Sequence, residues 1–300
     1  MDNTNLLVVL DPNGDNQVLL ERALNIARGT GGRLHLFAAD YNNALNASYN
    51  FNPQAVQGVI EGHLNAIRRR MDDLLQQLEQ QGLAASGEVR WASPLYEAVL
   101  TRADEVGAGL IIKQTHHHSA LNRVLFTNTD WHLMREAKVP LWFVRGEHQW
   151  KSQPRILAAV DPVHARAKDV ALDQRILQWS QQVASGLAGQ LEVLHVYEVV
   201  PTGLVTEFDA MMADYPAFRE EIRDHHRQAL EHLIAAHAPT ASSRLEDGLP
   251  EQVLPRIVRE EGIDLMVMGA VSRSGLDRVF IGSTAERVLD DLESDVLVVR

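Results

Sequence analysis

Met268-Gly-Ala-Val-Ser-Arg-Ser-Gly-Leu-Asp-Arg-Val-Phe-Ile-Gly-Ser-Thr-Ala-Glu-Arg-Val288 is the stretch that decides the fold. An apolar run, Leu265–Met268, stops at Gly269. A polar loop follows, and Gly282-Ser283-Thr284 then opens a helical pattern. Strand, glycine-bearing turn and helix start in that order make a phosphate cradle. Glycine lets the backbone approach an anion, and the first free N–H groups of a helix point at it.

Working outward, the region around this stretch occurs twice. Leu110–Arg145 aligns without a gap with Leu265–Arg300 at a constant offset of 155 residues, and eight of the 36 pairs are identical. They include Ser119/Ser274, Arg123/Arg278, Thr129/Thr284 and Arg145/Arg300. The beginnings match as well, Leu6–Pro12 answering Ile156–Pro162 at an offset of 150. The chain is a tandem duplication. Its joint lies near Gly146–Pro154, which sets the expected domains at 1–146 and 154–300.

Each half alternates short apolar runs with amphipathic stretches. Runs near Leu6–Leu10, Leu34–Ala38, Leu110–Ile112 and Leu141–Val144 read as buried parallel strands, as do Ile156–Val160, Leu191–Val196, Leu265–Met268 and Val296–Val299. Weaker strands are expected near Val89–Trp91 and Arg244–Glu246. Leu172, Ile176, Trp179 and Val183 recur at helical spacing, and Gln252–Glu260 supplies another amphipathic helix. The fold class is α/β, with two doubly wound five-stranded parallel sheets. Ligands of such sheets sit at the carboxyl ends of the strands. The loop after Met268 and the Asp161-Pro162 turn after Val160 are two such ends.

The spacing of Gly269, Ser272, Gly282 and Ser283 resembles the nucleotide signature of the universal stress protein family, G-x2-G-x9-G-[S/T], with Ser272 in place of the second glycine. Phe126-Thr-Asn-Thr-Asp-Trp-His-Leu-Met134 is similar to the matching segment of a tandem member of that family. The resemblance implies strand order 3-2-1-4-5 in each half. It also implies a pseudo-dimer of halves paired through their last strands, with the question of a further homodimer left open. It implies binding of an adenine nucleotide (ATP, ADP or AMP) in the second half. There Asp161 would lie beside the adenosine and Val196 would meet the adenine with its backbone. Met268 and Gly269 would floor the pocket, Ser272 would approach the phosphates, and Gly282, Ser283 and Thr284 would cradle them. A serine in place of a glycine that needs positive φ costs about 1–2 kcal/mol, so binding weaker than the intact signature gives is expected. The competing reading is that Gly269 and Gly282 only permit tight turns.

In the first half Gln114, His117 and Thr127 stand where the three glycines belong, and Asn128 replaces the serine. That half keeps Asp11 but not the cradle, and reads as a structural partner. His116 and His118 are candidate zinc ligands, with Asp130 or His132 as a further ligand; the alternative is a solvated polar loop. His225 and His226 fall in the charged stretch Arg219–Arg227 and read as a solvated face.

Composition limits the rest. With 40 acidic against 28 basic residues the net charge is −12, which argues against nucleic acid and acidic membranes as partners. Cysteine is absent, the first residues carry no basic leader, and no apolar run approaches the roughly 18 residues of a membrane helix; a cytoplasmic location without membrane insertion is expected. Walker, dinucleotide and nucleophile-elbow motifs are missing. No residue stands out as a base for activating water, so at most slow ATP hydrolysis is expected. The alternative to a nucleotide-binding stress-response protein is a nucleotide-independent scaffold or a carrier of an apolar, lipid-like ligand. Asn42–Pro53 and the Met- and Phe-bearing Pro201–Phe218 are the insertions that would serve the latter.

Overall fold

Two sets of continuous apolar runs, each too apolar to face water, are buried as parallel strands with helices on both faces. The computed structural model describes residues 5–49, 51–118, 123–145, 150, 152–163, 170–199, 215–269 and 281–300. Contacts divide the chain into two compact units, with the main division between residues 149 and 150.

In the first unit, β1 (Asn5–Leu10) leads through α1 (Gln17–Thr30) to β2 (Arg33–Asp40). Then come α2 (Asn43–Ser48), the long α3 (Pro53–Gln80), β3 (Ala85–Trp91) and α4 (Leu95–Val106). β4 (Leu110–His118), α5 (Asn128–Glu136) and β6 (Leu141–Arg145) complete it; a short β5 (Arg123–Leu125) precedes α5, and its Arg123 and Val124 count with the second unit. The five main strands run in the order β3-β2-β1-β4-β6. Leu6, Leu7, Val8, Leu36 and Ile112 have no exposed surface. The Asn42–Pro53 insertion is not a loop. Asn42 and Asn52 each accept a backbone N–H at a helix start, Leu45 at 3.0 Å and Ala55 at 3.2 Å, so the asparagines are N-caps.

The second unit repeats the plan with β7 (Arg155–Val160), α6 (Val170–Gly186), β8 (Gln190–Tyr197), α7 (Tyr215–His237) and β9 (Ser242–Asp247). α8 (Pro250–Glu261), β10 (Leu265–Gly269), α9 (Ser283–Asp291) and β11 (Asp295–Val299) follow. Its strand order is β9-β8-β7-β10-β11. All strand neighbours within this unit are parallel. Both units thus carry the order 3-2-1-4-5. Among the described residues, no helix is long and apolar enough to cross a membrane. Most of the Pro201–Phe218 insertion lies outside the described residues.

β10 is described to Gly269, which pairs with Val299 as Gln114 pairs with Val144 in the first unit; residues 270–280 lie outside the described residues. β4 was expected to end near Ile112, yet it continues to His118. Gln114 and Thr115 pair with Val144 and Arg145 of β6, and Thr115 Oγ1 donates to the Val144 carbonyl at 3.2 Å.

Candidate functional site

β7 lies between β8 and β10 and is parallel to both. Val160 pairs with His195, while Ile156 and Ala158 pair with Leu265 and Val267. Continued by two residues, this register brings Asp161, Val196 and the Met268-Gly269 pair to the same carboxyl edge. That is where an open α/β sheet binds its ligand. Ser272 lies outside the described residues, as does the side chain of Ser283.

α9 opens at this edge. Gly282 is its N-cap in extended geometry and has no side chain of its own to cap the helix. The first intrahelical bond runs from Glu286 N–H to the Gly282 carbonyl at 3.0 Å. The amides of residues 283–285 precede it and have no partner within the helix. They are the donors a phosphate needs.

Sequence reasoning overlooked a pair of histidines beside Asp161. His195 is buried at 1% exposure on β8, and its Nδ1 lies 3.0 Å from the Val160 carbonyl. A carbonyl only accepts, so Nδ1 carries the proton. Its Nε2 lies 2.7 Å from His226 Nδ1 on α7. In neutral rings His226 must therefore donate, which leaves its Nε2 as an acceptor. Tyr197 stacks on His226 with ring centroids 4.6 Å apart. Burial holds the His226 imidazole below its usual pKa; the charge of His225 adds to this and that of Asp161 opposes it. His226 is thus not on a solvated face, as its charged neighbours suggested. The signal was available in His195, a polar residue in the apolar run Leu191–Val196, which needs a buried partner.

Gly269 has a second reason to be glycine. A Cβ at this position would fall 2.7 Å from Leu172 Cδ2 and 3.3 Å from Ile176 Cδ1. The bare α-carbon lets α6 close onto β10. This contact supports the packing reading of Gly269 alongside the ligand reading.

In the first unit the same helix start is closed by its own residues. Thr127 occupies the Gly282 position. Its backbone N–H donates to Asp130 Oδ2 at 2.7 Å, and Asp130 N–H donates to Thr127 Oγ1 at 3.3 Å, forming a capping box. Asp130 Oδ1 lies 2.8 Å from Lys113 Nζ, with side-chain exposures of 0% and 7%. Lys113 also donates to the Gln114 carbonyl at 3.0 Å. A buried ion pair lies at this helix start, and two of its backbone N–H groups, those of Thr127 and Asp130, are already bonded.

The zinc reading loses its supporting ligands here. Asp130 is committed to Lys113 and Thr127. His132 pairs with Glu136 at 3.0 Å and stacks on Tyr96 at 4.1 Å. Among the described residues no group of three or more metal-binding side chains is assembled. The side chains of His116 and His118 lie outside the described residues, though their backbone belongs to β4.

The profile of the universal stress protein family matches residues 3–145 and again 154–300. The chain belongs to the universal stress protein family. It is similar to "Universal stress protein E" of Escherichia coli K12, with 27% identity over 298 residues spanning 99% of this chain and 93% of the relative. The similarity to its Salmonella typhi counterpart is 29% over 302 residues, spanning 99% and 94%. A crystal structure of a functionally unknown protein from Pseudomonas aeruginosa PAO1 superposes with a TM-score of 0.75 at 27% identity, spanning 99% of this chain and 92% of the other. A universal stress protein from Archaeoglobus fulgidus DSM 4304 shares the fold, with a TM-score of 0.67 at 15% identity over 100% and 99% of the two chains. The universal stress protein fold therefore spans both units, and the tandem arrangement has relatives of the same length.

Proposed function

We propose that this protein is a stress-response module whose second unit binds an adenine nucleotide, while its first unit is a structural partner. The observation that carries the proposal is the contrast between two equivalent helix starts. At α5, Thr127 and Asp130 each bond the other's backbone N–H, and Lys113 pairs with the Asp130 carboxylate. At α9, Gly282 has no side chain with which to cap the amides of residues 283–285. In this reading Gly282, Ser283 and Thr284 hold the phosphates, Ser272 approaches them, and Asp161, Val196, Met268 and Gly269 surround the nucleoside. Neither His195 nor His226 is assigned a catalytic part. The module binds, with at most slow hydrolysis, and its expected location is the cytoplasm.

The close contact of Gly269 with Leu172 favours a second reading, a nucleotide-independent scaffold in which the glycine serves packing alone. Gentle mass spectrometry of the purified protein separates the two. A copurified adenine nucleotide, or one that binds when added, supports the first; a chain that takes up none supports the second.

A further inference from the structure

The first unit contains a cavity of about 630 Å³ that lies away from the helix start of α5, between α1 and α3. Its size is within the roughly 300–1,000 Å³ of small-molecule sites. Two helical stripes face each other across it. Leu20 and Leu24 line it from α1, and Ile67, Met71, Leu74 and Leu78 from α3. Ile67, Met71 and Leu78 are buried to 4% exposure and form the floor, while Leu20, Leu24 and Leu74 remain half-buried along the walls. The lining on α3 extends from Ile67 to Gln81, about 21 Å at 1.5 Å per residue. The space is therefore elongated, and direct contact between the two helices is slight. In the second unit the corresponding helices, α6 and α7, pack on each other.

The two ends of the cavity differ in chemistry. At one end Arg28 Nη2 donates to Gln81 Oε1 at 2.7 Å and ties the helices together. At the other end the loop after β1 presents Asp11 and Asp15. Asp11 Oδ1 accepts the Asn13 N–H at 2.9 Å, and Asp15 Oδ1 accepts the Gln17 N–H at 2.9 Å. Each carboxylate keeps its second oxygen, and neither forms an ion pair among the described residues. Gly14 packs against the Asp11 carboxylate, where a Cβ would stand 2.6 Å from Oδ2. Asp73 adds a further carboxylate to the lining, and so does Glu21, although its Oε1 lies 3.4 Å from Arg22 Nη1; Arg70 is the one guanidinium of the lining. An apolar trough with an acidic mouth, in a chain of net charge −12, selects a cation.

We propose that the groove between α1 and α3 binds an elongated cationic amphiphile, its alkyl chain along Leu20, Leu24, Met71 and Leu74 and its ammonium group between Asp11 and Asp15. Burial of the chain supplies the affinity, and the carboxylates choose the headgroup. The site shares no residue with the nucleotide pocket proposed for the second unit.

The test uses the intact protein and three probes below their micellar concentrations, dodecylammonium, dodecanoate and 1-dodecanol, with binding measured by calorimetry and native mass spectrometry. Dodecylammonium is expected to bind one per chain, at least tenfold more tightly than dodecanoate and with no response to excess ATP. Leu74→Trp should weaken it at least tenfold by filling the trough, and Leu20→Trp, from the opposite wall, should do the same if the first variant fails to fold. Asp11→Asn with Asp15→Asn should bring dodecylammonium and dodecanoate within about threefold of each other. Dodecanoate binding as tightly as dodecylammonium would overturn the headgroup assignment. Absence of 1:1 binding, or binding indifferent to both tryptophan variants, would overturn the site.

Discussion

Lys113 Nζ and Asp130 Oδ1 meet at 2.8 Å with almost no solvent exposure, at the positions that Met268 and Ala285 hold in the second unit. The duplicated chain thus contains its own comparison: one copy holds a buried ion pair where the other holds apolar side chains.

Removing either partner leaves a buried charge, which costs about 3–5 kcal/mol. Lys113→Met and Asp130→Ala are each expected to destabilise the protein on that scale, Asp130→Ala also losing the cap on α5. The double variant reproduces the second unit's residues, and its loss should be smaller than the sum of the two by well over 1 kcal/mol. Denaturant unfolding of the four proteins measures this. Simple additivity would mean that the pair contributes no coupling.

Thr127→Val removes the hydroxyl that caps α5 and should cost about 1 kcal/mol of stability. Because that helix start is not assigned a ligand, nucleotide affinity should stay within twofold of the parent. Thermal melts with and without ATP check both parts.

Gly269→Ala places a methyl group 2.7 Å from Leu172 Cδ2. Overpacking of this kind costs about 1–3 kcal/mol. Leu172→Ala in the same chain should restore part of the loss, since it empties the space the methyl group needs. If Gly269→Ala leaves the midpoint unchanged, the close approach of α6 to β10 is not what requires glycine there.

The pH dependence has a definite sign. Burial holds His226 below its usual value of about 6.5, and burial with the charges of Arg102 and Arg33 does the same to His35. Both rings are more readily protonated in the unfolded chain, which therefore binds more protons between the folded and unfolded pKa values. Their contribution to stability is complete above about pH 6.5 and is lost as pH falls through the folded values. His226→Gln should flatten part of that acid-side slope, as followed by unfolding at pH 5 to 8. A His226 NMR titration midpoint above 6.5 would reverse the sign.

Much of the fold was legible because its information is local and repeated. Strands buried on both faces leave continuous apolar runs, and the ungapped match of Leu110–Arg145 to Leu265–Arg300 exposes the duplication. The β4 extension was not legible. Lys113–His118 is polar, and Lys113, Gln114 and Thr115 are strand beside Phe143, Val144 and Arg145 of β6, a pairing the local sequence does not announce. His226 was hidden for a related reason: its neighbours in sequence are charged, whereas its partner His195 lies 31 residues away. The capping role of Thr127 was readable in the Thr-x-x-Asp spacing. It was overlooked because the position was judged only as a missing glycine.

Calorimetric titration of ATP into the parent, Gly282→Val, Thr127→Val and Ser272→Gly proteins tests the central claim most directly. The account predicts measurable binding to the parent, its loss in Gly282→Val and its retention in Thr127→Val. Ser272→Gly should tighten binding by about tenfold if roughly 1.4 kcal/mol of backbone strain is relieved. No ATP binding by the parent, or a greater loss in Thr127→Val than in Gly282→Val, would contradict it.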